Sequence, residues 1–412
     1  MRTNLLIISL TIFCFTSCST SSKRASVDIE TIPIDIQGDM TLKLSDIAES
    51  VELIPLETTR EGLLTGIRKI IIRNDKYYIK SGVVNSRLLA FDEGGRFLFK
   101  IDRRGQGPGD YIDMRDFTLT DNSDIKMVTY GKVLTYDSLG RFLHEKQASV
   151  TEYVGEDIIP FTESSYLVHQ RTLYDKYNLL CILDGRDEFG NDFFPVSPSA
   201  AVISGMTIDN NALSSYDDDI YFKYPYCDTI YRISKEKDIS YAYYVDYGSQ
   251  KIDSSLFEDI TDASQASMEM QKIRDRMLPV YARSGGMGIN SAFVWVGTYA
   301  KKGDKQHGGY FSLYSKQTKQ VLTGNLIMDD IYMKGVTIKL RVVDFPMYMD
   351  EDYLIWPLRS SFLLRGYEAY KKRLTTQQWE AFSKQYSRLV EICSAMKEDD
   401  NPLLVRIKLK KW

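Results

Sequence analysis

Histidine, proline and cysteine are all scarce in this 412-residue chain, and each scarcity excludes something. The three histidines, His144, His169 and His307, include no i,i+4 pair, so a histidine-rich metal centre is not expected. Eleven prolines stand against 28 tyrosines and 18 phenylalanines, a balance that favours pleated, half-buried strands. Of five cysteines, Cys14 and Cys18 fall near the N-terminus, and Cys181, Cys227 and Cys393 are too widely spaced for a disulfide framework or a C-x-x-C knuckle. Buried free thiols are expected, with a single Cys181–Cys227 bridge as the alternative. A formal charge of −4 gives no general affinity for nucleic acid. No G-x-x-x-x-G-K-[ST] loop and no nucleophile elbow occurs, so neither a nucleotide cofactor nor a catalytic triad is expected. No catalytic, metal or cofactor residue is assigned.

The apolar run Leu5–Phe15 follows a basic start and is too short to span a bilayer. Phe15-Thr16-Ser17-Cys18 then resembles a bacterial lipoprotein signal, which implies cleavage before Cys18 and acylation of its thiol. The alternative is an ordinary secretory signal with a coincidental cysteine. The expected organisation is a signal peptide over 1–17, a lipidated tether over 18–26 and one folded body over 27–412. The tether lacks an acidic cluster, which points to a periplasm-facing anchor on the outer membrane. No other run is long and apolar enough to cross a bilayer.

The body carries a repeat. Phe91-Asp92-Glu93-Gly94-Gly95-Arg96-Phe97-Leu98 is answered by Tyr136-Asp137-Ser138-Leu139-Gly140-Arg141-Phe142-Leu143, and more loosely by Leu183-Asp184-Gly185-Arg186. Later copies at Ile230 and Phe311 keep the strand and a polar turn but lose the glycine. The first spacing, about 45 residues, suits one four-stranded propeller blade. The body then holds roughly six blades, and the expected fold is an all-β six-bladed propeller of antiparallel four-stranded blades. The Asp and Gly of each turn have a structural cause, side-chain closure and positive φ. Asn74-Asp75 marks a hairpin, and Pro55 makes Val51–Glu57 an edge strand. Helical insertions are expected near 254–278 and over 375–397, the latter with a Thr375/Gln378 capping box. The alternating strand over 403–410 should close the ring against a strand from residues 27–58. Arg283-Ser-Gly-Gly-Met-Gly reads as a flexible loop.

Ile54-Pro55-Leu56-Glu57-Thr58, Arg104-Gly105-Gln106-Gly107-Pro108-Gly109-Asp110-Tyr111, Asp228-Thr229-Ile230-Tyr231 and Asp400-Asn401-Pro402 carry a resemblance over most of the body. The chain resembles the six-bladed β-propeller lipoproteins of the Bacteroides type, which are distantly similar to NHL-repeat propellers. The resemblance implies a propeller fold and an envelope location, and brings no catalytic residues; the usual Glu before the tyrosine is Asp110 here.

The Gly/Pro loop supplies the candidate ligand site: Arg103, Arg104, Gln106, Asp110 and Tyr111. Either arginine could grip a carboxylate in bidentate fashion, with Tyr111 as an aromatic face. In the competing structural reading the glycines only pass the chain between blades, Asp110 pairs with an arginine and Tyr111 packs. Asp217-Asp218-Asp219 lacks calcium-loop spacing and reads as a solvated turn. The tyrosine-rich stretch from Tyr216 to Tyr247 suits either sugar stacking or blade packing. The leading functional expectation is a non-catalytic, monomeric binding propeller anchored to the membrane by its lipid, with a peptide, glycan or envelope protein as partner and no nucleic acid. One alternative is a hydrolase or lyase acting on polysaccharide or peptide at the central channel, for which paired carboxylates among Asp102, Asp110, Asp113 and Asp116 are the candidates. The other is a structural subunit of an outer-membrane assembly.

Overall fold

Two-residue turns set the first level of structure. Asn74 and Asp75 take φ of 51° and 56°, the left-handed pair of a type I′ turn, and join strands Ile67–Arg73 and Lys76–Ser81. Asp217 and Asp218 (51° and 66°) do the same between Leu213–Tyr216 and Asp219–Phe222. The computed structural model describes residues 29–412, apart from 37, 84, 149–154, 171–176, 207–210, 253–259, 261, 276–279, 303–305, 334–335 and 340–344. The leader, Cys18 and the tether lie outside the described residues.

Such hairpins chain into six four-stranded antiparallel blades arranged as a propeller ring. Blade 1 spans Ile67–Arg73 to Phe97–Ile101, blade 2 Met114–Leu119 to Phe142–Gln147, and blade 3 Gly155–Thr162 to Phe189–Pro195. Blade 4 spans Leu213–Tyr216 to Ile239–Asp246, and blade 5 Val280–Ile289 to Val321–Gly324. Blade 6 is split across the chain: Tyr348–Met349, Tyr353–Leu358 and Leu403–Leu409 are completed by Ala48–Pro55 as the outermost strand. The last strand thus pairs with an N-terminal one, in the register Val405↔Leu53 and Ile407↔Val51. Pro55 sits on that outer edge, where no neighbour asks for its missing N–H.

The core is divided among the seams between blades. Ile54, Ile70, Ile79, Phe91, Ile355 and Leu404 fill the seam of blades 6 and 1. Tyr78, Leu88, Phe117, Met127 and Tyr136 fill that of blades 1 and 2. Burying each such side chain contributes about 1.5–3 kcal/mol. The repeated turn also lies at a seam. Asp92 Oδ1 accepts the N–H groups of Gly94 and Arg96, and its Oδ2 accepts Arg96 Nε at 2.7 Å. Asp137 repeats the pattern with Leu139 and Arg141. Gly95 (φ 84°) meets the preceding blade so closely that a Cβ would stand 2.2 Å from Pro55 O. Where later copies lose the glycine, the left-handed residue stays, as Lys237 (φ 69°) and Lys319 (φ 62°).

Several expectations change in detail. In the 254–278 insertion the described helix is Ala263–Asp275, and the residues flanking it lie largely outside the described set. The capping box of Thr375 and Gln378 is present, but the 375–397 stripe is two helices, Thr376–Gln385 and Ser387–Ala395. The break falls at Tyr386, whose ring packs on Tyr332 and whose hydroxyl donates to Ile331 O at 3.2 Å. Both helices present the same apolar stripe to one seat, which is why it reads as continuous. Helices Pro198–Met206 and Ser360–Lys371 are additional. Arg283–Gly288 is not a loop: it lies inside Val280–Ile289, where the glycines form a bulge between Ser284 and Met287. Strand Glu30–Pro33 adds in parallel to the outer edge of blade 4, and Thr41–Lys43 joins a small sheet with Leu326–Asp329 and Val336–Lys339. The three body cysteines form no disulfide among the described residues; Cys181 and Cys393 are buried as expected, whereas Cys227 is only half-buried.

Candidate functional site

Strand direction divides the insertions between the two faces of the disc. In each blade the first-to-second and third-to-fourth turns fall on one face. The second-to-third turns and the blade-to-blade connectors fall on the other. The first face is built of short turns such as 74–75, 93–96 and 138–141. On the second, Pro198–Met206 lies between blades 3 and 4, and Ala263–Asp275 between blades 4 and 5. The three helices within 359–402 emerge there too, between the second and third strands of blade 6. Every described helix of nine residues or more is on this face.

The inner strands meet at a central channel, a cavity of about 980 Å³ counting its open mouth. Near the insertion-bearing end, the inner strands of blades 1, 2, 3 and 5 each carry a bulge, at Ile67/Lys69, Met114/Asp116, Gly155/Asp157 and Ser284/Met287. A bulge adds one residue and re-aims the next side chain. The first three bulges turn Lys69, Asp116 and Asp157 onto one another. Lys69 Nζ donates to Asp116 Oδ2 at 2.5 Å, Asp157 Oδ1 at 3.0 Å and Ile158 O at 2.9 Å. The carboxylates in turn accept backbone N–H groups, Asp116 from Ile158 at 2.9 Å and Asp157 from Leu213 at 3.1 Å. Lys80 stands 3.8 Å from Asp116. Burial pushes the Asp116 carboxyl up against the pull of Lys69 and Lys80. Burial opposes the charge on Lys69, but the two carboxylates outweigh it and hold the lysine above its usual range. The result is an ion triad pinning blades 1 to 4 around the channel. Two carboxylates do converge, but both are tied to one ammonium group and to backbone donors.

Trp295, 1% exposed, also lines the channel, and its Nε1 has no hydrogen-bond partner among the described residues. It lies against Gly288, where a Cβ would stand 2.1 Å from that nitrogen.

A family model matches residues 29–408. The chain belongs to the family described as a domain of unknown function, DUF4934. No curated protein matches this DUF4934 chain. Among solved structures it is similar to an exported protein of Bacteroides fragilis, with TM-score 0.67 and 17% identity over 92% of this chain and 100% of that one. A member of the DUF4221 family from Bacteroides vulgatus aligns at TM-score 0.49 and 10% identity, over 89% and 98% of the two chains. A virginiamycin B lyase from Staphylococcus aureus aligns at TM-score 0.40 and 9% identity, over 88% and 100%. At these identities the likeness concerns the fold alone.

Within the DUF4934 domain, the Gly/Pro loop connects blade 1 to blade 2 on the insertion-bearing face. Arg103 and Arg104 are about half exposed and Gln106 is exposed. Arg103 Nε donates to Asp110 Oδ1 at 3.3 Å, and Arg104 Nε to Asp102 Oδ1 at 3.1 Å. Tyr111 is buried, its hydroxyl donating to Ser86 O and Ile101 O, and burial pushes that hydroxyl up. Gly105 and Gly107 leave room for the Asp110 carboxylate, and Gly109 N–H donates to Glu145 Oε2 of blade 2 at 2.8 Å. The loop thus brings Arg103 and Asp110 together, sets Tyr111 beneath, and offers the two guanidinium groups and Gln106 outward.

Of the four acids considered for the channel, only Asp116 comes near it, buried behind the channel-lining Lys69 to which it is bonded. Asp102 pairs with Arg104 and Arg87, Asp110 with Arg103 and Asp113 with Arg115. Lys69 and Asp157 were not singled out from sequence. A lysine inside the apolar strand Ile-Arg-Lys-Ile-Ile-Ile was the available signal for the first. In the tyrosine-rich stretch, Tyr243 and Tyr247 are buried in the seam of blades 4 and 5, whereas Tyr241 is 58% exposed on the rim. Asp218 and Asp219 pair with Lys235 and Arg232. No described helix is long and apolar enough to cross a membrane.

Proposed function

We propose that this chain is a non-catalytic binding propeller of the cell envelope, held to the outer membrane by a lipid on Cys18 and facing the periplasm. It captures a peptide, glycan or partner protein on the insertion-bearing face. The observation that carries this reading is the one-sided placement of every described helix of nine residues or more, since connecting segments on a rigid scaffold are where binding residues collect. The exposed guanidinium groups of Arg103 and Arg104 stand on that same face. The carboxylates beside the channel favour a structural role, because both share the Lys69 ammonium and each accepts a backbone N–H. A general acid and base pair would need free lone pairs and separated pKa values. The Thr-Ser-Cys leader supports the lipid anchor, and the likeness to an exported Bacteroides protein is in keeping with export.

The test has two arms. Metabolic labelling with a fatty acid should mark the wild type and not Cys18→Ala, and the variant should leave the membrane fraction. Capture from solubilised envelopes should recover a partner that is lost when substitutions are made on the insertion-bearing face and kept when they are made on the short-turn face. Turnover of a peptide or polysaccharide panel by the purified protein would overturn the non-catalytic reading.

A further inference from the structure

Arg68 is the extra residue of the blade 1 bulge, and it does not join its neighbour in the channel. Lys69 lines the channel, whereas Arg68 lines a separate recess at the seam of blades 6 and 1, about 680 Å³ with its opening. The recess is on the insertion-bearing face, since it is built at the start of one inner strand and at the second-to-third connection of blade 6. A second guanidinium, Arg359, lines it beside Met347, Pro357 and Pro402, and among the described residues no acidic one lines it. Among the described residues no carboxylate pairs with Arg68; Tyr299 is the one titratable neighbour that acts on it.

The wall is pre-set. Asn401, 1% exposed, accepts the Leu64 N–H and donates to Glu57 O and Gly62 O, each at 2.8 Å, while its own N–H donates to Thr58. Two sequence motifs, Ile54–Thr58 and Asp400–Pro402, are thereby locked together beside the recess, which lowers the ordering cost of a ligand placed there.

We propose that this recess takes the C-terminal carboxylate of a peptide ending in an aliphatic residue, with Arg68 gripping the carboxylate. A planar fork of donors suits a carboxylate. The described apolar lining, Ile67, Met347, Pro357 and Pro402, is non-aromatic and suits an aliphatic side chain better than a sugar ring that needs a stacking face. The inference rests on the reading of the insertion-bearing face as the binding face, and narrows it.

Fluorescence anisotropy with a labelled Ala-Ala-Leu tripeptide, as free acid and as C-terminal amide, tests it. The free acid should bind, and the amide should bind at least about tenfold more weakly, the scale of a lost charge-assisted bond. Arg68→Gln should erase the difference and Arg68→Lys restore part of it, with thermal midpoints like the wild type. Equal binding of acid and amide overturns the proposal. So does an unchanged Arg68→Gln, or displacement of the peptide by glucuronate or by inorganic sulfate at matching concentrations. Envelope capture by Arg68→Gln in the same preparation separates the two readings. A partner retained while the peptide arm fails leaves the binding face standing and sinks only the C-terminal assignment.

Discussion

Replacing Lys69 with methionine removes the one cation that both channel carboxylates share. The side chain keeps its length and apolar stem, so the change is chiefly electrostatic. Three acceptors lose their donor, at 2.5, 3.0 and 2.9 Å, and Asp116 and Asp157 are left facing each other. Breaking a buried ion pair from one side costs about 3–5 kcal/mol. With a urea m-value of about 3 kcal/mol/M, the midpoint should fall by roughly 1–1.7 M. The pH dependence separates this cause from lost packing. Burial already raises the folded-state Asp116 carboxyl, and without the pull of Lys69 it rises further, so the folded variant gains more protons relative to the unfolded chain as pH falls than the wild type does. The stability gap to wild type should therefore narrow between pH 7 and pH 5. Lys69→Met with Asp116→Asn should recover part of the loss. A drop under about 1 kcal/mol, or a gap independent of pH, would refute the account of the triad as a pin.

Gly95→Ala should destabilise by more than about 1 kcal/mol, from positive φ and from a Cβ 2.2 Å from Pro55 O, whereas Lys237→Gly should stabilise by up to about 1 kcal/mol; urea midpoints check both. Burial pulls Lys316 down to about 8, so the unfolded chain binds the extra proton between that pH and the ordinary lysine range, and wild-type stability should rise relative to Lys316→Met from about pH 8 to 10. A flat difference in pH-resolved melting would contradict this. Thr375→Ala removes the capping box and should cost about 1 kcal/mol, read as earlier hydrogen exchange in Thr376–Gln385.

The parts of the fold legible in the sequence are those with local causes. Asp92 and Asp137 close their own turns, Asn74-Asp75 can adopt the required φ values, and Thr375 caps its helix through the N–H of Gln378, three residues on. The helix Ser360–Lys371 has a long-range cause: Gly366 inside it lets Val336 pack so closely that a Cβ would meet Val336 Cγ1 at 2.8 Å. Gly285-Gly286 reads as a loop from the sequence but is a bulge inside an inner strand, fixed by pairing with the next strand. The channel triad was not legible, because its members come from three blades, 47 and 88 residues apart, and meet only once the ring closes. Arg68 is the same kind of case: its direction is set by a bulge that no local pattern announces.

The account rests on a ring closed within blade 6, and a cysteine pair tests that closure most directly. Leu53 and Val405 stand directly opposite in the outer strands of blade 6, so Leu53→Cys with Val405→Cys, in a background with Cys181, Cys227 and Cys393 replaced by serine, puts two Cβ atoms about 4.5–5.5 Å apart. Mild oxidation should crosslink the two within one chain in high yield, while Glu52→Cys with Val405→Cys stays reduced. Crosslinks only between chains, or no preference between the two pairs, would contradict a propeller closed by Ala48–Pro55 on Leu403–Leu409.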